Sequence, residues 1–456
     1  AEAGKSVVML EKMDIYGGNT NAGEGTLNAP DPERQEPMGI EDSPDFYYTQ
    51  TFEGGDSAGD PALVRILADN ALDAVHWMED HGLVYEKEVF TAIGGLWQRG
   101  HAVEVERKGE QGGSYYVSCL MDAAQATGNF TLYTDAKIEE LIVEGGAVVG
   151  VRGTRPSSGE AVEVRGKSVV LATGGYSHNE KMLGQYAPWI LKNQDKFLFS
   201  YEVTDHDGNP ADTGDGQQMG MNVGGHLDVG PHAVMAHILQ FGQEFFLQVN
   251  EHGERFTNED LSMTNIAKVM QNQPGSKVFQ IIDSHWPEQY PMLEMVMENI
   301  RSYGDGEGFS AQADSLEELA SQLELSADAT QNLTAAVARY NELCEKGVDE
   351  DFGKAAEKMF PVVDPPFYAI TYDMLKHTSV EDVSCMRLLV TMGGLVTDDN
   401  ARVLNDDMEP IPGLFAVGNV QGGRFVEDYP FTLSGASHAA ALTYGYLTGK
   451  YLAEQA

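Results

Sequence analysis

An α/β fold is predicted, with a parallel, Rossmann-like sheet interrupted by an inserted α+β domain. Three stretches predict it: VVMLEKMDIYGGNT at Val7–Thr20, KSVVLATGGY at Lys167–Tyr176 and GLFAVGNVQGGRF at Gly413–Phe425. Each is a short apolar, buried-strand pattern that ends in a glycine turn, the device that brings a backbone close to a dinucleotide. Two of them fall in the N-terminal half and one near the C-terminus. The expected organisation is therefore a nucleotide-binding domain in two parts, 1–226 and 388–456, around a second domain at 227–387.

Bulk properties narrow the class. A chain of 456 residues exceeds one hydrophobic core, which calls for two domains. Cys119, Cys344 and Cys385 are too scattered for a disulfide framework or a metal site, so no metal is expected. No apolar run reaches membrane-spanning length, and the expectation is a soluble, cytoplasmic protein. With 71 acidic against 29 basic residues the net charge is -42, which excludes nucleic acid and anionic membrane as partners.

Taken in order, AEAGKSVVML reads as a helix tail, a glycine turn and a strand that ends at Glu11. A strand, a Gly-rich loop and a helix ordinarily precede that point in a dinucleotide-binding unit, so the sequence is expected to start inside the unit. Gly17-Gly18-Asn19-Thr20 opens a loop that runs to Asn28 and includes Gly25 and Thr26; small residues and amides there suit close approach to a phosphate or ribityl chain. Asp60-Pro61 starts a helix whose Leu63, Ile66, Leu67, Ala71, Ala74, Val75 and Met78 hold a 3.6-residue stripe to Gly82. A glycine-rich loop at 93–113 carries Trp97, Arg99 and His101, followed by a helix at 115–127 and a strand meander at 130–170. Thr213-Gly214-Asp215-Gly216 opens another helix, Ser315–Glu318 is a capping box ahead of a helix at 329–346, and a last helix spans 436–454.

Five motifs in this order carry a resemblance: LEKxxxxGGNT at Leu10–Thr20, VVLATGGY at Val169–Tyr176, TGDG at Thr213–Gly216, ERFTNE at Glu254–Glu259, and MGGLVTD with PIPGLFAVGN at Met392–Asn419. The chain resembles the flavoprotein-subunit family of fumarate and succinate oxidoreductases, which includes urocanate reductases and 3-ketosteroid dehydrogenases. The resemblance implies FAD, bound beneath an inserted capping domain. It implies Glu11 at the adenosine ribose, with Lys12 beside it, and Gly17, Gly18, Asn19, Thr20, Gly25 and Thr26 along the pyrophosphate and ribityl chain. Ala136 is implied near the adenine, Thr173, Gly174 and Asp215 at the nucleotide half, and Gly418, Asn419, Leu433 and Ser437 at the flavin end.

The catalytic pattern departs from that family. Its proton-donating arginine, five residues after the Asn of RFxNE, falls on Met263, and a thioether donates no proton. The Thr-Glu pair and further arginine fall near Ile238, Leu239 and Phe241; the histidine before MGG is replaced within Leu388–Val390, and the C-terminal arginine near Thr432. A dicarboxylate needs about two charge-assisted clamps of roughly 1.5–3 kcal/mol each. The expectation is a less charged substrate with a C=C conjugated to a carbonyl or aryl group, against Met235, Phe241, Phe245 and Met263. The alternatives are a small-acid reductase with a relocated proton donor and a 3-ketosteroid dehydrogenase-like enzyme.

Tyr429, before Pro430, is the leading carbonyl electrophile or proton donor, with Arg424 as substrate orienter or as an ion pair to Glu427 and Asp428. His101 falls on the family's substrate-side loop. His226, His232 and His237 share the segment of its substrate histidine, and His237 reaches the Thr-Glu region most directly. No haem or iron–sulfur cysteine set is present, which implies an external electron donor or acceptor.

Overall fold

The computed structural model describes residues 1–91, 97–107, 110–192, 197–199, 204, 208–238, 245–290, 309–375, 386–430 and 435–455; the side chains at 197–199, 237, 238, 386 and 387 lie outside that description. The chain forms two compact units. The first comprises Ala1–Pro188, Phe199–Met235 and Leu389–Ala456, the second Trp189–Leu198 and Ala236–Leu388. The sequence reading placed the second domain at 227–387.

In the first unit, β1 (Val7–Leu10) is followed by the short β2 (Leu27–Asn28), which pairs antiparallel with β3 (Gly100–His101). β4 (Phe130–Tyr133) lies parallel to β1, with Val7 opposite Phe130 and Leu10 opposite Tyr133. β5 (Lys137–Glu144), β6 (Ala147–Thr154) and β7 (Ala161–Arg165) form the expected antiparallel meander, turning at Gly145-Gly146. β8 (Val169–Leu171) runs parallel to the strand Pro410–Ala416, with Val169 opposite Leu414. That pairing sets the TGG turn beside the VGN turn, although they are more than 200 residues apart in sequence.

The strand pattern predicts burial for β1 and β8, and in this chain part of each is accessible. Val7, Val8 and Val170 are 36%, 41% and 40% exposed. Among the described residues β1 pairs with β4, and β8 with the strand Pro410–Ala416.

The helix Pro61–Asp80 follows the sequence pattern closely. Asp60 accepts from the Ala62 N–H at 2.8 Å, Pro61 takes the first position, and Leu63, Leu67, Ala71, Ala74, Val75 and Met78 are buried. Each large aliphatic side chain so covered contributes about 1.5–3 kcal/mol. This face shares one core with Ala439, Ala440, Leu442 and Tyr444 of the helix Ala436–Gln455, and the Tyr444 hydroxyl donates to the Leu63 carbonyl at 2.8 Å.

The second unit is α+β. Its antiparallel sheet has the order Leu247–Asn250, Lys277–Ile282, Phe367–Asp373, Ala311–Ala313. The helices Leu316–Gln322 and Ala327–Lys346 cover one face through Leu319, Leu333, Val337 and Tyr340. Ser315 and Ser326 cap them, each accepting a backbone N–H at 3.2 Å. Arg255 of the ERFTNE motif is buried between Glu259 and Asp349, both at 2.8 Å, and Lys354 reaches Glu259 at 3.5 Å. Among the described residues no helix is long and apolar enough to cross a membrane.

Candidate active site

The nucleotide end is built at the tip of β1. The Glu11 backbone donates to the Tyr133 carbonyl at 2.9 Å, and its carbonyl accepts from buried Ala136 at 2.9 Å. The Glu11 carboxylate accepts from the Met13 N–H at 2.9 Å. Burial pushes this carboxyl above its ordinary value, partly offset by the Met13 N–H. Lys12 is tied to its neighbours: its ammonium meets Asp215 at 2.8 Å and Thr213 at 2.9 Å. The first residue of the TGDG helix thus holds β1's end through an ion pair.

Gly17 and Gly18 lie at φ 107 and 52, and Asn19 and Thr20 continue in the 3-10 turn Gly18–Ala22. A Cβ on Gly17 would strike the Asn21 amide, which itself donates to the Tyr16 carbonyl at 2.7 Å, whereas at Gly18 the same direction is open to 4 Å. The turn therefore pins one glycine and leaves the next with bare backbone facing free space, as an approaching phosphate requires. Gly25 abuts the start of the helix Gly112–Ala126, and the Thr26 carbonyl lies against Gly435, ahead of the last helix. Thr173 and Gly174 follow β8, and the Gly174 carbonyl accepts from Gln217 at 3.1 Å. Gly418, at φ 74, has no atom closer than 3.7 Å where a Cβ would stand. Beside it Asn419 accepts from the Ser437 hydroxyl at 2.9 Å. Leu433 lies outside the described residues.

Two of the catalytic candidates are buried and already bonded. The Tyr429 oxygen accepts from the Ser437 N–H at 3.2 Å, at the start of the last helix. Burial pushes its phenol up to about 12, moderated by the backbone N–H donors of that helix start. Arg424 donates to the Gly418 carbonyl at 2.9 Å and to the Gln421 side chain, and its guanidinium lies over the Tyr444 ring at 5.2 Å. Its Nε is buried with no hydrogen-bond partner, and burial pushes its pKa down. Neither Glu427 nor Asp428 is among these bonds.

His101 is buried with both ring nitrogens engaged: Nδ1 at 3.2 Å from the Leu27 carbonyl and Nε2 at 3.1 Å from Asp31. Burial tends to raise the Asp31 carboxyl, but hydrogen bonds from His101 and Arg34 outweigh it and hold the group well below the usual range. These bonds anchor β3 to β2.

Of the three clustered histidines, His226 pairs with exposed Asp406 at 2.8 Å, and the His237 side chain lies outside the described residues, as does Phe241. His232 is 2% exposed, and its Nδ1 lies 2.7 Å from the hydroxyl of Tyr176, the residue that closes VVLATGGY. No local sequence pattern announced that pairing; a tyrosine at the end of a glycine turn was the available signal. In the second unit, Met263 is buried at the first position of the helix Met263–Met270. Phe245 packs on Tyr290 and Phe360, with ring centroids 5.2 and 5.9 Å apart.

The family model described as "FAD binding domain" matches residues 1–429. The chain belongs to this FAD-binding family. It is 29% identical to the NADH:fumarate oxidoreductase of Klebsiella pneumoniae over 465 residues, covering all of this chain and 46% of that protein. Its identity to the vinyl phenol reductase of Lactiplantibacillus plantarum is 27%, covering all of this chain and 92% of that protein. Among solved structures, the open flavocytochrome c3 fumarate reductase superposes with a TM-score of 0.69 at 26% identity, over 99% of this chain and 74% of that one. The chain thus spans about half the length of the first of these relatives. FAD is the cofactor of this family member. Open backbone at Gly18 and Gly418 fits that group.

Proposed function

We propose that the protein reduces, or in reverse forms, a C=C bond conjugated to a carbonyl or aryl group of a relatively apolar substrate. The observation that carries this is Met263, a buried thioether where the resemblance expects the proton-donating arginine. Leu388, fully buried in the segment expected to supply a histidine, points the same way. The vinyl phenol reductase relative supports an aryl-conjugated alkene.

In this reading FAD supplies hydride transfer at N5. Glu11 would hold the ribose, Gly17–Thr20 the pyrophosphate and ribityl region, and Gly418, Asn419 and Ser437 the flavin end. Arg424, a buried cation with no carboxylate hydrogen-bonded to it among the described residues, supplies positive potential where an enolate or phenolate develops. An external electron carrier completes the cycle.

The test is anaerobic. The flavin of the purified full-length protein is reduced, and its reoxidation at 450 nm is followed with enones, steroids and phenylpropenoids against fumarate and urocanate. Faster reoxidation by the conjugated apolar alkenes is expected. Fumarate or urocanate as the fastest oxidant would overturn the reading.

A further inference from the structure

We propose that Asp228, His232 and Tyr176 form a proton-exchanging unit for this two-electron chemistry, in which the aspartate fixes the imidazole tautomer and the phenol shares its proton with the ring. The inference rests on the function proposed above.

The hydrogen bonds assign the tautomer. His232 Nε2 faces the backbone carbonyl of Asp228 at 3.0 Å and also contacts the Asp228 carboxylate. Both are acceptors only, so Nε2 carries a proton. In the neutral ring Nδ1 is then the acceptor, and the Tyr176 hydroxyl donates to it at 2.7 Å. The Asp228 carboxylate is itself fixed by the Gly423 N–H at 2.9 Å. The imidazole has little freedom to turn. Tyr186 stacks on one face at 4.3 Å with an interplanar angle of 1°, and a Cβ on Gly393 would collide with the ring. Tyr176 is equally fixed, its N–H donating to Thr391 Oγ1 at 2.8 Å.

This arrangement has two states. When His232 takes a second proton at Nδ1, the ring becomes a donor on both sides, and the Tyr176 hydroxyl must rotate and accept. Asp228 stabilises the imidazolium. Burial holds the phenol well above its ordinary value, so Tyr176 stays protonated in both states and only its polarity reverses. Among the described residues, the other charged or titratable groups near the unit are Tyr186, Asp212 and Arg424, with Glu427 and Asp428 on the segment bridged to His232 and Val234.

The unit joins two of the glycine motifs. Tyr176 directly follows the Thr173–Gly175 turn, and the His232 ring lies on the first glycine of MGG. In the reducing direction the substrate's π bond breaks and two C–H bonds form, one from the hydride of the reduced flavin and one from a proton. The unit releases that proton from His232 and regains it from solvent by way of Asp228, whose side chain is 14% exposed.

The test measures the flavin midpoint potential of the holoenzyme by spectroelectrochemistry from pH 5 to 9, in wild type, Tyr176→Phe, Asp228→Asn and His232→Gln. The expected wild-type profile bends at a pH within this range. Asp228→Asn should move the bend to lower pH by about one unit or more, Tyr176→Phe should also shift it, and His232→Gln should abolish it. A wild-type profile without a bend, or one that Tyr176→Phe and Asp228→Asn leave in place, overturns the proposal. Tyr176→Phe removes one oxygen and Asp228→Asn keeps the acceptor for Gly423, so both remain informative if His232→Gln fails to fold. A protein that reduces none of the alkenes yet shows the shifted bend retains the relay and loses only the substrate reading.

Discussion

Arg255 and Arg424 are both buried guanidiniums, and their surroundings are opposite. Arg255 sits between two carboxylates, and its hydrogen bonds to Glu259 and Asp349 outweigh the burial that would lower its pKa. Arg424 has a backbone carbonyl, a neutral amide and an aromatic face, and burial wins. A cation hydrogen-bonded to carboxylates on both sides cements a fold; one whose described hydrogen-bond partners are neutral, with Asp228 acting only at a distance, stands ready for a charge that comes and goes. The difference separates a structural motif, ERFTNE, from a candidate chemical one, GGRF, which sequence spacing alone presents as equals.

Breaking Arg255 should have the larger effect on folding. Arg255→Met leaves Glu259 and Asp349 buried beside Lys354 alone, and should destabilise the second unit by about 3–5 kcal/mol, read as an earlier transition in chemical denaturation. Arg424→Met removes a charge that no carboxylate among the described residues hydrogen-bonds, leaves the Gly418 carbonyl and Gln421 without their donor, and should lower stability by only about 1–3 kcal/mol. Its turnover should fall by about 100-fold or more. A larger stability loss at Arg424 than at Arg255 would dissolve the contrast.

His438 sharpens the comparison by a smaller, pH-dependent effect. Its ring packs on Tyr116 with centroids 4.4 Å apart, and burial pushes its imidazole down to about 4. An unfolded chain binds this proton near pH 6.5, the folded one only near 4, so the unfolded state takes up more protons in between. Stability should therefore fall as pH drops through that window and be unaffected above it. His438→Phe should flatten the slope in thermal melts between pH 4 and 6.5; an unchanged slope would remove His438 from the account.

Much of the frame was legible because its signals are local. A β-branched run that meets a glycine turn, or Asp60-Pro61 before a 3.6-residue stripe, needs no distant partner to be read. The site was less legible, because its decisive contacts join residues far apart. The resemblance puts His101 in a substrate-side loop, and nothing local shows that Asp31, 70 positions away, engages its Nε2. Nor does anything local to Tyr429 show that the Ser437 N–H of the last helix meets its oxygen. Nothing local distinguishes His232 from His226 and His237, yet the Tyr176 hydroxyl, 56 positions earlier, meets its ring.

The bond from Tyr444 to Leu63 spans 381 positions and joins the last helix to the core of the first unit. Contacts of such separation form late, because closing the long loop costs entropy before any burial offsets it. The second unit draws its sheet and helices from residues 236–388 and has its own core, so its partners are all synthesised before the last helix of the first unit. On the ribosome the first unit begins earlier and finishes later. During that interval the apolar face of Pro61–Asp80 awaits its cover, which makes it the surface a chaperone would need to shield.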